Sequence, residues 1–393
     1  MRHYLDYNAT APLRPQVREA VIQAMDLVGN ASSIHAEGRK ARAAIERARL
    51  QVAQLVNGDP GCVIFMSGAT EANMQALTPN MKWDYETKSA SHLYYSAVEH
   101  PSVLAGGRFA ESQMTSIPVD ENGVVDLVEL RGLLEQHDGS HGVAMVAIMA
   151  VNSETGVIQP IEEIAKLAKE FDAYCHIDAV QAAGRIPLDI GQVGCTSMSL
   201  SSHKLGGPKG IGALVMAREG LEPEQLITGG PQENRNRAGT EDVQAIVGFG
   251  IAAELAFEQA QDTSNDSEMA RLRGLRDRFE AGLRDLVPDV VIFGEGAARI
   301  DNCSQFAIPG MRAETMLIQL DLAGVAVSSG SACSSGKISA SHVLIAMGVD
   351  AVLAGAAVRV SLGWASTTED VEKLLSVLAK ICAKHSKKLS LAL

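Results

Sequence analysis

Four short stretches of this chain combine residue types that can do chemistry. In Ser201-Ser202-His203-Lys204 a lysine stands among hydroxyls and an imidazole, just ahead of the glycine-rich run from Leu205 to Gly212. A surface lysine needs no such company. A lysine that forms a Schiff base needs a confined site and a lowered pKa. The glycines do not spell the nucleotide-binding pattern GxxxxGK[ST], because Lys204 precedes the turn. In His176-Ile177-Asp178-Ala179-Val180-Gln181 a carboxylate closes an apolar run, where burial without a partner is costly. A protonated pyridine nitrogen or an arginine would satisfy Asp178, and so would a helix N-terminus that it caps. Ser67-Gly68-Ala69-Thr70-Glu71 offers free N–H groups and a hydroxyl at a helix start. That is a cup for a phosphate, or an ordinary cap with an acidic first turn. Finally, Cys333 lies in Ser328-Ser329-Gly330-Ser331-Ala332-Cys333-Ser334-Ser335-Gly336-Lys337, among small polar residues unlike a core environment. With Lys337 four residues on to favour a thiolate, it reads as a reactive thiol, whereas Cys62, Cys175, Cys195 and Cys382 read as buried.

Two single residues add to these. Arg359 sits in the apolar run Val358 to Leu362 and would bind a carboxylate, which a substrate could supply. His100, in Glu99-His100-Pro101, follows an apolar run and could stack on a flat ring, move protons or hold a structural place. Together the pieces assemble a pyridoxal phosphate site: a phosphate cup, a carboxylate for the ring nitrogen, a Schiff-base lysine, a stacking histidine and an arginine for a substrate carboxylate. The carboxylate keeps the ring protonated and makes it an electron sink.

The elements that must position these residues follow from apolar runs alternating with helical spacing. Val63 to Met66, Gly142 to Ala150, Tyr174 to Asp178, Thr196 to Ser201 and Gly212 to Met216 read as strands. Helical spacing starts near Thr70 and runs from Pro160 to Phe171. Such alternation predicts an α/β fold with a mostly parallel sheet covered on both faces, and ligands beyond the C-terminal ends of its strands. The polar stretch Gln259 to Ser267 breaks the pattern. Beyond it a charged helix (Glu268 to Leu286), strands near Val290 and Cys303, a helix near Glu314 to Leu322 and a last helix from Thr368 read as a smaller α+β domain. The expected division is residues 15–257 for the large domain, and 1–14 with 258–393 for the small one. Lys82 to Ser91 reads as a polar surface loop.

Composition narrows the partners. The chain has 393 residues, a net charge of −13 and 46% hydrophobic residues, as a globular protein does. The acidic balance argues against nucleic acid or an anionic membrane as partner. No apolar stretch approaches the roughly 18–20 residues needed to span a bilayer. No apolar leader opens the chain, and the six scattered cysteines form no CxxC pair, so a reducing, cytoplasmic setting is expected.

Nearly the whole chain resembles the cysteine desulfurases, fold-type I pyridoxal phosphate enzymes of the class V aminotransferase family. The resemblance rests on LDYNATAPL (5–13), NASSIH (30–35), SGATEAN (67–73), VEHPSV (98–103), NSETG (152–156), HIDAVQ (176–181), SSHKLGGPKGIG (201–212), RAGTEDV (237–243) and SSGSACSS (328–335). The run around Cys333 is similar to the branch with a long catalytic loop, found in nitrogen-fixation and housekeeping iron–sulfur enzymes.

That resemblance implies roles. Lys204 would carry the cofactor, Asp178 would pair with its ring nitrogen, Gln181 with its ring oxygen, and His100 would stack on the ring. Ala69, Thr70, Ser201 and His203, with Ser202 beside them, would hold the phosphate. Thr240 would reach the phosphate of a second copy in a homodimer. Arg359 would bind the carboxylate of L-cysteine, and Asn8 would line the substrate site. Lys204 or His100 would move the Cα proton. Cys333 would take the sulfur as a persulfide, leaving alanine, and would pass it to an iron–sulfur scaffold or another acceptor protein. Cys333 could also serve as a transient iron–sulfur cluster ligand. Asn152-Ser153-Glu154 departs from the common Asn-Asn-Glu, so Ser153 or Asn152 must make the missing cofactor contact. The alternative is a selenocysteine lyase or another class V lyase or aminotransferase, which would not need Cys333 to act on cysteine.

Overall fold

The computed structural model describes residues 2–84, 86–330 and 340–392, with side chains as far as residue 384. Its strands in chain order are β1 (His3–Tyr4), β2 (Val63–Met66), β3 (Asn80–Trp83), β4 (Glu86–Ser96), β5 (Met114–Ile117), β6 (Val143–Met149), β7 (Tyr174–Asp178), β8 (Ser197–Ser201), β9 (Gly212–Met216), β10 (Leu221–Pro223), β11 (Val291–Ile292), β12 (Cys303–Ala307), β13 (Val325–Ala326), β14 (Ser328–Ser329) and β15 (Val358–Ser361). Helices cover Ile161–Glu170, Glu268–Leu286, Ala313–Leu322 and a last span from Thr368, where the spacing puts them.

One large sheet runs β10-β3-β4-β6-β7-β8-β9-β2, with β5 beside the second half of β4. Its centre (β5, β4, β6, β7, β8) is parallel, and both flanks are antiparallel. The central strands are apolar on both faces because both are covered. Along β2, Val63 and Phe65 enter one core with the helices Ala36–Leu55 and Val243–Gln261, while Ile64 and Met66 enter a second core on the opposite face. In β6, Val146 and Ile148 face the first core, Met145 and Ala147 the second. The period of two thus sets both layers.

A second, antiparallel sheet runs β11-β12-β15-β14. It packs with the helices Glu268–Leu286, Ala313–Leu322 and the last helix around a separate core of Leu272, Phe279, Phe306, Met316, Val360 and Leu374. The N-terminal segment joins the two sheets. The Ser361 amide donates to the Leu5 carbonyl and that of Tyr7 to the Ser361 carbonyl, which binds the segment to β15. The Ala11 and Arg14 amides donate to the carbonyls of His203 and Gly206, which binds it to the turn after β8.

The expected loop at Lys82 to Ser91 is instead part of a hairpin. β3 pairs antiparallel with the start of β4, from Asn80 opposite Ser89 to Trp83 opposite Glu86. A polar edge hairpin has no buried alternation to read. Its order comes from Trp83, which stacks on Tyr174 at 6.1 Å and lies 4.8 Å beneath the Arg218 guanidinium. Cys62, Cys175 and Cys195 are buried as expected, but Cys382, on the last helix, is partly exposed.

Candidate active site

The C-terminal ends of β4, β6, β7, β8 and β2 open on one side of the large sheet, and the residues that follow them ring a single cavity of about 810 Å³. Of the residues singled out from sequence, Asn8, Ala69, Thr70, His100, Ser153, Asp178, Gln181, Ser201, His203, Lys204 and Arg359 line it. Three others do not. Asn152 spends its side chain on the turn after β6: its Nδ2 donates to the Val98 carbonyl, and its Oδ1 accepts from the amides of Glu154 and Thr155. Ser202 is fully buried, packed where a Cβ at Gly207 would lie 2.1 Å from its hydroxyl. Thr240 is exposed, away from the cavity wall. Cys333 lies outside the described residues.

At one end of the cavity stands the start of the helix Ala69–Ala76, whose first turn has no side-chain cap. Its N–H groups therefore present partial positive charge. Gly212 lets β9 press against this turn, since a Cβ there would sit 2.7 Å from the Gly68 carbonyl carbon. Glu71 braces the turn from behind: its carboxylate accepts from the Ser67 amide at 2.7 Å and from Arg237 Nε at 3.0 Å. Burial pushes the Glu71 carboxyl up, but those donors hold it below the usual range overall. The hydroxyls of Thr70 and Ser201 and the side chains of His203 and Lys209 complete this end. Burial first, then the charges of Lys204 and Lys209, push His203 down to about 4, so its imidazole is neutral at pH 7. These donors suit a dianionic phosphate.

Asp178 ends β7 with both oxygens fixed. Oδ1 accepts from the Val180 amide at 3.0 Å, and Oδ2 from Asn73 Nδ2 at 2.9 Å. Lys204 follows β8 in a short turn, its Nζ donating to the carbonyls of Asn8 and Ala9 at 2.5 and 2.9 Å. Gln181 Nε2 donates to the same Asn8 carbonyl, and Arg185 holds the Gln181 Oε1. His100 caps a short helix, its Nδ1 accepting from the Ser102 amide at 3.1 Å. Burial lowers its pKa; Asp178 opposes that, and Lys204 and His342 reinforce it. Arg359 crosses from β15. Its Nη1 donates to the Ser153 carbonyl at 3.0 Å and its Nη2 to Asp6 Oδ1 at 2.8 Å. Its Nε is buried with no partner among the described residues. An unspent guanidinium donor on a cavity wall fits an incoming carboxylate.

The structure adds residues that the sequence reading passed over. Asn73 and His176 lie inside quoted motifs but were given no role. Asp6 orients Arg359. Glu99 is fully buried on the cavity wall, one oxygen accepting from the Met149 amide at 2.6 Å and the other without a partner among the described residues. Burial and then the charge of Asp178 push its carboxyl well above the usual range. Glu154 accepts from Gln305 Nε2 at 2.9 Å and Ser341 Oγ at 2.6 Å, and Gly330 packs directly on it. The described residues on both sides of 331–339 are thus tied to one carboxylate. Among the described residues no cluster of His, Cys, Asp and Glu could hold a metal ion, and no helix is long and apolar enough to cross a membrane.

Comparison with known proteins places the chain in a family. The aminotransferase class-V family model matches residues 3–374. The chain is 42% identical over 385 residues to the protein named cysteine desulfurase IscS of Dictyoglomus turgidum, covering 97% of this chain and 94% of the relative. It is 40% identical to a cysteine desulfurase of Sinorhizobium fredii, covering 97% and 96%. A NifS-like protein from Rickettsia africae superposes with a TM-score of 0.87 at 34% identity, covering 97% of this chain and 99% of that one.

Proposed function

The chain belongs to the class-V aminotransferase family, and on that premise we propose that it is a pyridoxal phosphate-dependent cysteine desulfurase whose sulfur acceptor is Cys333. The observation that carries the reading is one cavity lined at once by Lys204, Asp178, His100, an uncapped helix N-terminus and an arginine with an unspent donor.

The donor set fits the cofactor. The turn at Ala69 and Thr70, with Ser201 and His203, would hold its phosphate; Asp178 would face its ring nitrogen; Lys204 would carry it. Bound there, pyridoxal phosphate supplies an electron sink for the charge that develops at Cα of an amino acid. The other roles belong to the chain. Arg359 binds the L-cysteine carboxylate, with Ser153 and Asp6 fixing the plane of its guanidinium. Lys204 or His100 moves the Cα proton. Neutral His203 donates to the phosphate without adding charge. Cys333 attacks the substrate sulfur as a thiolate; an S–S bond forms as the C–S bond breaks. The balance is L-cysteine and a Cys333 thiol to L-alanine and a Cys333 persulfide. Burial raises all five described thiols, those of Cys62 and Cys303 to about 11 and Cys175 to about 12. None of them is a thiolate at neutral pH, which supports Cys333 in that role.

From the same resemblance we infer two domains, residues 15–257 with the cores on both faces of the large sheet, and 1–14 with 258–393 around the separate core of the second sheet. We infer a homodimer, with exposed Thr240 available to a second copy. The persulfide sulfur passes to a protein acceptor such as an iron–sulfur scaffold.

The test compares wild type with Cys333→Ala. Wild type should show the visible absorbance of bound cofactor and release alanine from L-cysteine. Cys333→Ala should keep the absorbance and lose the alanine by about 100-fold or more, as removal of a nucleophile does. Alanine production that survives in Cys333→Ala would favour a selenocysteine lyase or a related lyase. A wild type that binds no cofactor would overturn the reading altogether.

A further inference from the structure

Behind the cavity wall runs a chain of hydrogen bonds whose every proton can be placed by elimination. Asp178 Oδ2 only accepts, so Asn73 Nδ2 donates to it at 2.9 Å. The second proton of Nδ2 goes to Ser102 Oγ, also at 2.9 Å. Asn73 Oδ1 must then be the acceptor, and its partner at 3.0 Å is His176 Nε2, which therefore carries a hydrogen. Burial, opposed only by Asp178, pushes His176 down to about 4. The ring is neutral, its Nδ1 bears no proton, and Ser197 Oγ donates to it at 2.9 Å. On the other branch Ser102 Oγ has accepted from Asn73, so its own proton points to His100 Nδ1 at 2.8 Å, alongside the Ser102 amide. His100 Nδ1 is thus an acceptor, and the proton of the neutral ring is on Nε2.

We propose that Asn73 is a positioning residue that sets Asp178 and His100 together, the direction of its amide being set by the Asp178 carboxylate and matched by His176. The proposal rests on the desulfurase reading above, in which Asp178 serves the ring nitrogen and His100 the ring face. Asn73 is 1% exposed, and all three of its polar valences are used within this chain. One amide that turned over would present an oxygen to the Asp178 carboxylate and to Ser102 at the same time. The Asp178 carboxylate prevents this, since only an N–H can face it, and the neutral His176 ring supplies the matching donor at Nε2 while Ser197 donates to its Nδ1. Through Ser102 the same amide keeps Nδ1 of His100 occupied as an acceptor. Protonation of His100 must break that contact. Among the described residues, the charged and titratable groups that face His100 are Asp178, Lys204 and His342. Among the described residues only Asp178 favours its protonated form, and Asn73 holds that carboxylate.

The test uses Asn73→Asp and Ser102→Ala, each as holoenzyme and after removal of cofactor. The dissociation constant of pyridoxal phosphate and the pH profile of kcat/KM for L-cysteine are measured, with thermal melting as a check on folding. Asn73→Asp sets a carboxylate against Asp178, so the cofactor should bind about tenfold more weakly or worse, as the loss of a charge-assisted hydrogen bond implies. Ser102→Ala cuts only the His100 branch. Cofactor affinity should hold, while the acid limb of the profile moves up by about half a pH unit, since Nδ1 loses one of its two donors, keeps only the backbone amide and takes a proton more readily. If Asn73→Asp fails to fold, Ser102→Ala decides. An unmoved acid limb in Ser102→Ala overturns the proposal, and so does a folded Asn73→Asp that binds cofactor as wild type does. A wild type without cofactor or cysteine-dependent alanine overturns the desulfurase reading instead.

Discussion

Arg359 shows how a single side chain is prepared for a ligand. Its planar fork is shared between the Ser153 carbonyl and Asp6, which leaves a buried Nε with no partner among the described residues, in a residue that lines the cavity. A lysine concentrates its donors on one atom and cannot reach both anchors and a carboxylate. Arg359→Lys should therefore raise KM for L-cysteine by about tenfold or more while kcat falls less, a split that steady-state kinetics reads directly. An unchanged KM would remove Arg359 from carboxylate binding. At this scale the sequence speaks clearly where a residue is marked by its immediate neighbours. Lys204 is marked by Ser201 to His203, and Asp178 by the apolar run it ends. It is silent where the partner lies far along the chain. Asp6 meets Arg359 across 353 positions, and Asn73 meets Asp178 across 105. Ser153 is marked by its departure from Asn-Asn-Glu, yet it serves the cavity through a backbone carbonyl that any residue would supply. Side-chain identity is no guide to that kind of contact.

Elements were legible in proportion to how much core they bury. β7, β9 and the helix Glu268–Leu286 fall on the residues that periodicity gives, because each has a full apolar face to declare. The hairpin of β3 and β4 escaped, since its polar edge carries no such pattern. Also illegible was the brace that aims β2 and the turn after it. Glu233, Asn234 and Arg235 all take left-handed backbone conformations, at φ 48°, 53° and 68°. That run costs on the order of 1–3 kcal/mol per residue, and contacts elsewhere must offset it. The offset is a buried pair. Arg49, from the helix Ala36–Leu55, meets Glu233 at 2.7 and 2.9 Å and donates to the Val63 carbonyl. Glu233 accepts from the Phe65 amide at 2.8 Å, and the guanidinium lies 4.8 Å over the Phe65 ring. The pair thus clamps β2 between a helix and a strained loop. Glu233→Gln leaves the buried Arg49 with only the half-exposed Glu46, at 3.2 Å, as counter-ion, and should destabilise the fold by about 3 kcal/mol in urea titration. It should also loosen cofactor binding, because the turn at Ala69 hangs from the end of β2. A variant as stable as wild type would mean that the clamp contributes nothing net.

Seen as a whole, the molecule gathers several ionisable groups in their neutral forms around one cavity, and this fixes how its stability responds to pH. His176 and His203 are held at about 4 against an ordinary 6.5. Between those values the unfolded chain binds protons that the folded one does not, so stability rises with pH through this window. Glu99 has the opposite sign. Its folded pKa is raised, so above the ordinary 4.5 the unfolded chain releases a proton that the folded one keeps, and stability falls as pH rises. Each net proton is worth about 1.4 kcal/mol per pH unit. On acidification from pH 6.5 to 4.5 the two histidines outweigh Glu99, and wild type should lose stability. Above pH 6.5 the histidines no longer contribute, Glu99 opposes folding, and the buried thiols join it with the same sign as pH approaches their ordinary value of 9. Glu99→Gln keeps the shape, the neutrality and an oxygen for the Met149 amide, but cannot ionise in the unfolded chain. Its advantage over wild type should therefore be small at pH 5 and grow with pH, by at most about 1.4 kcal/mol per pH unit, until Glu99 ionises in the folded wild type. Urea midpoints of the two proteins at pH 5, 6, 7 and 8 measure that difference directly. A difference that stays constant with pH would mean that Glu99 is ionised in the folded protein and shares the cavity with Asp178 as a second negative charge.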